Sequence, residues 1–394
     1  MSLNSDVVIV AAYRTPIGNL NGVFSHLKAS DLGTTVLKHI LEETHVLPDE
    51  IVIGQALTAG QGQNPARQTA INSGCPDSVI ATTINMLCGS GLKACVYGYQ
   101  AIKNGDAKIV VCGGQESMSQ APHCLHIRNG HKLNDVSMID SMMHDGLTDV
   151  FNKCPMGKTA DHVAKVYGIS REDQDKFALE SQKKYQNAYE NNAFVNEIVP
   201  VKILDRKVEK FILKDEFPRE NTSLEALGKL KPYFVPLNEG GTVTPGNSSG
   251  INDGAALLML TSLEEANNRN LKPLVRIVSW AQHGNEPMLM GVAPIEAIKK
   301  AVSKANWNLD QIDLFEINEA FSSQSLAILR ELKLDDNKVN INGGSIALGH
   351  PIGCSGARVL VTLIHSLIRL NKKRGLAALC VGGGMSIAMC VETL

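Results

Sequence analysis

The sequence lacks an excess of charge of either sign. Its 38 lysines and arginines face 40 aspartates and glutamates, which leaves a net charge of −2. A chain so balanced has no overall attraction to nucleic acid or to an acidic membrane surface, so we expect neither as a partner. Any anionic ligand must therefore be held by a few local basic residues.

Paired cysteines are also missing. The nine cysteines are an odd number, and no two of them form a C-x-x-C pair. A disulfide framework is therefore not expected, and free thiols in a reducing compartment are favoured. The same lack of paired ligands argues against zinc, and we expect no metal.

No apolar run is long enough to cross a membrane. The longest, residues 376–391, is interrupted by Gly382-Gly383-Gly384 and by Ser386, which indicates two short strands around a glycine turn. Residues 1–6 contain neither an apolar signal core nor an arginine-rich presequence, and the last four residues are not the peroxisomal Ser-Lys-Leu signal. We therefore expect a cytosolic protein.

The glycine motifs of nucleotide-binding folds are absent as well. No G-x-G-x-x-G follows the first strand, and no G-x-x-x-x-G-K-[ST] occurs anywhere. The sequence instead alternates apolar strands with amphipathic helices. Strands are predicted at residues 7–12, 51–57, 79–84 (a buried strand) and 108–112 (closed by a glycine pair), and helices at 31–43 and 64–73. This order predicts an α/β protein with a mostly parallel sheet and helices on both faces.

The pattern changes between residues 119 and 250 and then returns. The middle region is richer in polar residues, prolines and charge, with a capping box at Ser170 that opens a helix to about residue 191, and with Met156 and Arg219 in loops. We expect it to be a loop domain laid over the core, where ligands usually bind. Strands follow at 273–280 and 312–317.

An internal echo indicates a duplication. Gly353-Cys354-Ser355-Gly356 repeats Cys88-Gly89-Ser90-Gly91, and each copy precedes a helix, a strand and a glycine pair. Two halves of one architecture explain this order better than chance. We therefore predict an N-terminal half at 1–118, completed by about 251–270, a loop domain at 119–250, and a C-terminal half at 271–394.

Cys88 lies where a helix begins after a strand. Unpaired backbone N–H groups and the helix dipole favour the thiolate there, and the thiolate is the nucleophilic form. The alternative is a buried structural cysteine, because free cysteine is among the most buried residue types.

Three further motifs stand in the second half. They are Asn318-Glu319-Ala320-Phe321 after a strand, Gly349-His350-Pro351 in a glycine-rich loop, and Cys380-Val381-Gly382-Gly383-Gly384 at a strand end. Each has a plain structural alternative: a helix N-cap, a surface histidine, and core packing with a turn. In a duplicated sheet, however, equivalent strand ends face each other, which would bring Cys88 towards Asn318, His350 and Cys380. A cysteine beside a histidine is the pattern of an activated nucleophile.

These four motifs, in this order, resemble those of the thiolases, and most of all the biosynthetic branch that acts on acetyl-CoA. The likeness runs from the first strand to the end of the chain and includes Gly343-Gly344-Ser345 ahead of His350. It implies the duplicated αβαβα fold, with two similar halves around central mixed sheets and an inserted loop domain. It also implies a homotetramer built from dimers.

The resemblance further implies a reversible Claisen condensation of two acetyl-CoA to acetoacetyl-CoA and coenzyme A, with no cofactor. Cys88 would take the acetyl group while His350 accepts the thiol proton. Cys380 would then remove a proton from the second acetyl-CoA. His350 and a water held by Asn318 would stabilise the enolate, and the N–H groups of Cys88 and Gly382 the tetrahedral intermediate.

Substrate contacts are implied by the same resemblance. Ser249 would contact the pantetheine and Arg219 the adenine end, and the acyl and pantetheine pocket would be lined by Leu147, Met156, Phe234, Met290 and Phe321. These residues could equally be core or solvated side chains. Pro155 stands where the family often has histidine, and the segment at 49–53 is short, so affinity and chain-length preference are open. The alternatives are a degradative 3-ketoacyl-CoA thiolase and a non-catalytic thiolase-like lipid carrier; the two cysteines and the histidine argue against the carrier.

Overall fold

The computed structural model describes residues 6–394, and residues 1–5, the beginning of the predicted N-terminal half, lie outside the described part. Strands and helices alternate in the first third of the chain because apolar runs of strand length alternate with amphipathic stretches. The elements are β1 (Val7–Arg14), β2 (Gly18–Asn19), α1 (Ala29–Thr44), β3 (Glu50–Gly54), α2 (Pro65–Asn72), β4 (Ile80–Ile84), α3 (Ser90–Asn104) and β5 (Ile109–Ser117).

The middle region contains short strands and two long helices. Its elements are β6 (His123–Cys124), β7 (Ile139–Asp140), β8 (Thr148–Asp149), β9 (Cys154–Pro155), α4 (Met156–Val166), α5 (Arg171–Glu190), β10 (Val201–Asp205), β11 (Val208–Ile212) and α6 (Leu224–Gly228). The predicted capping box is confirmed, because Ser170 and Asp173 cap α5 reciprocally. The prediction that Met156 lies in a loop is wrong, since α4 begins there behind Pro155, whose fixed φ suits a helix start.

The last part of the chain returns to long elements. They are β12 (Asn252–Ser262), α7 (Leu263–Asn268), β13 (Val275–Gly284), α8 (Pro294–Lys304), β14 (Leu314–Ile317), α9 (Ser322–Leu332), α10 (Ser345–Leu348), α11 (Ile352–Arg369), β15 (Arg374–Val381) and β16 (Met385–Thr393). The two strands predicted around the last glycine turn are thereby confirmed as β15 and β16.

The main sheet repeats one topology twice. From its centre outward, one half runs β1-β12-β5-β3-β4 and the other β13-β16-β15-β14. In each half the first two pairings are antiparallel and the next is parallel. The outermost parallel pair, β3 with β4, corresponds to a single bridge between Phe315 and Val339. The halves join where Val8 and Ile9 pair with β13. The duplicated α/β fold with mixed sheets is confirmed. The prediction of a mostly parallel sheet is wrong, because five of the eight pairings along the sheet are antiparallel. The exact domain boundaries remain a prediction.

Three apolar cores separate the layers. Helices α3 and α11 pack against each other and against strands of both halves, and the core between them includes Leu92, Val96 and Leu360. A second core lies beneath α1 and α2, and a third beneath α8 and α9. Among the described residues, α11 alone is long and apolar enough to span a membrane, and 83% of it is buried inside the protein. It is the central core helix.

Two details of the first half differ from expectation. The strand predicted as buried at 79–84 is β4, which lies at the sheet edge, so that Ile80 is 64% exposed. The pair Gly113-Gly114 does not end β5, which continues to Ser117. A Cβ on Gly114 would lie 2.1 Å from the carbonyl oxygen of Gly353. The glycines therefore permit α11 to approach the strand rather than forming a turn.

The glycines of the repeated motif, Gly91 and Gly356, lie where α3 and α11 contact each other. A Cβ on Gly91 would lie 2.6 Å from the backbone nitrogen of Ala357, and one on Gly356 would lie 2.4 Å from that of Leu92. Backbone atoms cannot rotate away as side chains can. Glycine is therefore required at both positions for the helices to come this close.

We predict that Gly91→Ala lowers the free energy of unfolding by about 1–3 kcal/mol, because overpacking here has only backbone to displace. The measurement is the urea midpoint at one fixed protein concentration, with the slope compared. Gly228→Ala is the matched control, since a Cβ there meets nothing within 4 Å. Equal midpoints for the two variants would contradict this account of the crossing.

Candidate active site

Cys88 occupies a tight turn between β4 and α3. The turn at Leu87–Gly89 is a single 3₁₀ turn, and Leu87 has a φ of +48°, a strained value for a residue with a branched side chain. Two side chains hold it in place. The Asn85 carboxamide oxygen accepts from the Leu87 N–H at 2.8 Å, and the Ser90 hydroxyl accepts from the Met86 N–H at 2.8 Å while donating to the Leu87 carbonyl at 2.6 Å. The motif thus fixes the thiol rather than merely turning the chain.

The predicted site residues converge on one cavity of about 780 Å³. Eleven of the twelve line it directly: Cys88, His350, Cys380, Gly382, Leu147, Met156, Arg219, Phe234, Ser249, Met290 and Phe321. Asn318 does not line it, but its amide lies 3.4 Å from His350 Nε2. Cys88 and Cys380, which are 292 positions apart in the chain, therefore meet at the junction of the two halves.

His350 is held as a neutral base. Its Nδ1 lies 2.6 Å from the Ser355 hydroxyl, which itself donates to the Pro351 carbonyl at 2.9 Å. With its proton directed at Pro351, that hydroxyl accepts from Nδ1–H, which leaves Nε2 unprotonated. Burial, reinforced by the nearby Arg358 cation, lowers the pKa of His350 to about 3. The Asn252 carboxamide oxygen fixes the backbone by accepting from the His350 N–H at 2.9 Å.

The loop that carries His350 is anchored by Glu319. This buried carboxylate accepts from the Ser181 hydroxyl at 2.7 Å, the Asn340 amide at 2.9 Å and the Ile346 N–H at 3.3 Å. It thus joins the end of β14 to α5 and to α10. The neighbouring Asn318 is not a helix N-cap, because α9 begins only at Ser322. Its buried side chain is directed at the site instead.

The expectation that the helix start favours a thiolate at Cys88 is wrong for the resting state. Burial raises the pKa of Cys88 to about 11, although the N–H groups of Gly382 and of Cys88 itself lower it, and buried Glu116 adds to the rise. Transferring a thiolate out of water costs more free energy than hydrogen bonds from two backbone N–H groups provide. The resting pair is therefore a neutral thiol beside a neutral imidazole. The same two N–H groups point at the sulfur, where an oxyanion would form.

Cys380 ends β15 on the other side of the cavity. Its thiol is only 1% exposed and is packed with Met290, Ala320 and Phe321. Burial, and secondarily the nearness of Cys88, raises the pKa of Cys380 well above its usual range. The chain then turns at Gly383 and Gly384, whose φ values are +78° and +85°. This second thiol is thus enclosed by apolar groups and lies close to the first.

The middle region contributes a further part of the cavity wall. Phe234 packs on Gly157, where a Cβ would lie 2.0 Å from the ring. Arg219 is the one lysine or arginine among the lining residues, and burial lowers its pKa. Its backbone N–H donates to Gln182 at 2.9 Å, and its guanidinium lies over the Phe217 ring. Pro155 also lines the cavity, and its side chain offers no polar group there.

Sequence reasoning missed Glu116. It lies near the end of β5 and accepts from the N–H groups of Ala56 at 2.9 Å, Leu57 at 3.2 Å and Gly353 at 2.8 Å. It therefore links the exit of β3 to the start of α11, beneath the site. Burial raises the pKa of Glu116 to about 7. The signal was present as the polar run Gln115-Glu116-Ser117 at the end of an apolar strand, but the strand was predicted to end at residue 112, five residues before its actual end.

Within residues 6–394 no three histidine, cysteine, aspartate or glutamate side chains cluster so that they could hold an ion. The arrangement offers instead a nucleophile, a base, a second thiol and backbone donors around one opening. Together, fold and site define an acyl-transferring α/β enzyme.

Comparisons with known proteins agree with this class. Residues 7–264 match the family described as "Thiolase, N-terminal domain", and residues 271–393 match "Thiolase, C-terminal domain". The chain is 54% identical to the mouse protein named "Acetyl-CoA acetyltransferase, cytosolic" over 100% of both chains. The chain belongs to the thiolase family.

Solved structures give the same result. The crystal structure of the Bacillus anthracis acetyl-CoA acetyltransferase matches with a TM-score of 0.96 at 41% identity, covering 99% of each chain. That of human mitochondrial 3-ketoacyl-CoA thiolase also matches with a TM-score of 0.96, at 40% identity and 100% coverage of both chains. The predicted thiolase resemblance is confirmed.

We predict that alkylation of Cys88 by iodoacetamide accelerates about tenfold per pH unit between pH 7 and 9, without a plateau. A raised pKa leaves only a small thiolate fraction, which grows in proportion to hydroxide. The measurement is the rate of peptide-level modification by mass spectrometry, with Cys88→Ser identifying the site. A rate that is already constant below pH 7 would contradict the neutral pair and indicate a thiolate–imidazolium pair.

Proposed function

We propose that the protein is an acetyl-CoA C-acetyltransferase that condenses two acetyl-CoA into acetoacetyl-CoA and coenzyme A, reversibly, through an acetyl-Cys88 intermediate. The observation that carries the proposal is that two thiols from different halves open into one cavity beside the free nitrogen of a neutral imidazole. A single thiol with a base would suffice for hydrolysis. A second thiol is needed where a carbon acid must also lose a proton.

The first half-reaction follows from the neutral pair. Cys88 Sγ attacks the thioester carbonyl carbon while its proton moves to His350 Nε2, so that no free thiolate accumulates. The carbonyl oxygen becomes an oxyanion between the N–H groups of Cys88 and Gly382. When the intermediate collapses, the carbon–sulfur bond to coenzyme A breaks and His350 returns the proton to the leaving thiolate. Acetyl-Cys88 and free coenzyme A result.

The second half-reaction uses the other thiol. Neutral His350 takes the proton of Cys380, and the Cys380 thiolate removes a proton from the methyl group of a second acetyl-CoA. The resulting carbanion attacks the acetyl carbon on Cys88. The enolate oxygen is stabilised on the side of His350 and Asn318. Collapse releases acetoacetyl-CoA and returns Cys88 as thiolate, which recovers a proton from His350, so that both thiols and the neutral imidazole are restored. Removal of one oxyanion donor in such a site typically costs about 2.7–4 kcal/mol of barrier.

The size of the cavity, about 780 Å³, and its lining support a coenzyme A thioester as substrate. Apolar Leu147, Met156 and Phe234 suit the pantetheine arm, Ser249 offers a hydroxyl, and Arg219 is the cation for the nucleotide end. Residues 119–250 would thus form the proposed loop domain over coenzyme A. No cofactor takes part in this scheme.

Location and assembly extend the proposal. The mouse relative is named cytosolic, which supports the cytosol for this chain as well. A homotetramer built from dimers is proposed from the family resemblance, and light scattering of the purified protein tests it.

We predict that Cys88→Ala abolishes covalent labelling by radioactive acetyl-CoA, because the acceptor sulfur is gone. Cys380→Ser should keep the label on Cys88 while acetoacetyl-CoA formation falls by about 10²–10⁴, since the carbon acid loses its base. Cys124→Ser, at a half-buried thiol outside the cavity, is the matched control and should behave as the parent. Labelling that survives without Cys88 would place the nucleophile elsewhere.

The alternative of a degradative thiolase with broader chain length is supported by the match to the human 3-ketoacyl-CoA thiolase. Met290, Ala320 and Phe321 close the space around Cys380 and favour a short acyl group. We predict that thiolytic cleavage is fastest for acetoacetyl-CoA and falls as the 3-ketoacyl chain lengthens. Initial rates across the chain-length series measure this, with Cys88→Ala as the blank. Equal or higher rates on long chains would favour the degradative function.

A further inference from the structure

A buried chain of hydrogen bonds leads from Arg358 to the candidate base. Arg358 Nη2 donates to the Ser345 hydroxyl at 3.2 Å, and that hydroxyl donates to Asn318 Oδ1 at 2.6 Å. Asn318 Nδ2 in turn lies 3.4 Å from His350 Nε2. All four side chains are buried, at 6% exposure or less.

The direction of every bond in this chain is forced from its first member. A guanidinium has donors only, so Ser345 Oγ must accept from Arg358. The single hydroxyl proton is then available to Asn318, whose oxygen accepts it. With the oxygen engaged, the NH₂ of Asn318 faces His350. A flipped amide would leave the Ser345 proton without an acceptor in a buried site and set two lone pairs against each other.

We infer that Arg358 and Ser345 are positioning residues that fix the Asn318 amide, so that its NH₂ faces the Nε2 lone pair of His350. This inference rests on the proposed function and deepens it, because it assigns the side-chain orientation that both half-reactions need. Ser345 and Arg358 do not line the cavity, so they act through Asn318 and not on substrate.

A second, independent contact reaches the same conclusion from the other side of the ring. Ser355 donates to Pro351 and must therefore accept from His350 Nδ1–H. The contact with Ser355 thus indicates that Nε2 carries no proton. The hydrogen bonds that begin at Arg358 place a donor, the Asn318 NH₂, in front of the same nitrogen. Two hydrogen-bond paths that share no residue except His350 agree on one tautomer. The bare Nε2 is the atom that can take a proton from Cys88.

Arg358 is also tied to the body of the fold. Its Nη1 lies 3.6 Å from the carboxylate of Glu316 on β14, and both residues are at most 2% exposed. Helix α11 and strand β14 therefore set the position of the guanidinium before any ligand is present. Asn318 directly follows β14, so Arg358 and Asn318 are both positioned by the same strand.

The test is a double-mutant cycle between Ser345→Ala and Asn318→Ala, read as kcat and KM for condensation. Ser345→Ala should lower kcat about tenfold or more with KM unchanged, because a mispositioned group costs rate rather than affinity. In the Asn318→Ala background the same change should have no effect. An equal loss in both backgrounds would mean that Ser345 supports the fold in general, which overturns the inference.

Two further variants keep the cycle interpretable. Ser366→Ala is the matched control, since this buried serine accepts from Asn342 at 2.8 Å and has no link to Asn318. It should leave kcat unchanged in either background. Arg358→Gln is the second arm, because glutamine can accept the Ser345 proton and release Asn318. Arg358→Gln should lower kcat as much as Ser345→Ala does, and it should have no effect in the Asn318→Ala background. If it lowers kcat equally in that background, the role of Arg358 is overturned.

A measurement without substrate separates this inference from the proposed function. Long-range ¹H–¹⁵N spectra of histidine-labelled resting protein, assigned with His350→Gln, should show a proton on Nδ1 and none on Nε2. Asn318→Asp should protonate Nε2, because a carboxylate only accepts. A resting Nε2–H in the parent overturns the inference. Absence of acetyl-CoA turnover alongside the expected spectra would instead refute the proposed function alone.

Discussion

The close crossing of α3 and α11 is the constraint on which the site depends. Cys88 lies just before one helix and His350 just before the other, so the distance between nucleophile and base is set by how near the helix starts approach. Glycines at the crossing allow backbone to meet backbone, since a Cβ on Gly91 or Gly356 would lie within 2.6 Å of a main-chain nitrogen. The repeated topology supplies two equivalent helix starts. Because the glycines at the crossing have no side chains, the two helices can come close together.

Desolvation then determines how the chemistry must proceed. Burial moves the pKa of Cys88 up and that of His350 down, so the charged pair common in thiol enzymes is not the resting state here. In such a site the thiol is unreactive towards electrophiles other than the substrate, and the base is already neutral. Attack by the sulfur and transfer of its proton must occur together, when the thioester oxygen can accept hydrogen bonds from the N–H groups of Cys88 and Gly382. The apolar enclosure that suppresses the resting thiolate also strengthens those donors.

Much of this was predictable from sequence, and the failures have a common cause. Apolar periodicity and glycine punctuation gave the strands, the helices and the echo between halves, because these depend on neighbours in the chain. The errors concern tertiary position. Ile80 was expected to be buried but lies on an edge strand, Gly114 is used for helix contact and not for a turn, and Met156 opens a helix. The thiolate at Cys88 was expected from the helix start alone, without the cost of burial.

The same limit explains which site residues escaped notice. Glu116 and Arg358 carry no motif of their own, and each acts by holding backbone or side chains contributed by distant segments. Their roles become visible only when donors and acceptors are counted in space. A forced hydrogen-bond direction, such as the one that starts at Arg358, has no counterpart in a linear pattern.

The two copies of the duplicated strand end show how one motif acquired two uses. In the first half Gly114 lets the backbone of Gly353 approach, and β5 continues towards Glu116. In the second half the corresponding glycines turn the chain, and a Cβ on Gly384 would lie 2.1 Å from the carbonyl oxygen of Asn285. One copy therefore supports the helix that follows the His350 loop, while the other places Cys380 and the Gly382 N–H at the cavity. The same strand end thus serves helix packing in one half and a turn at the cavity in the other, while both halves keep the same sheet topology.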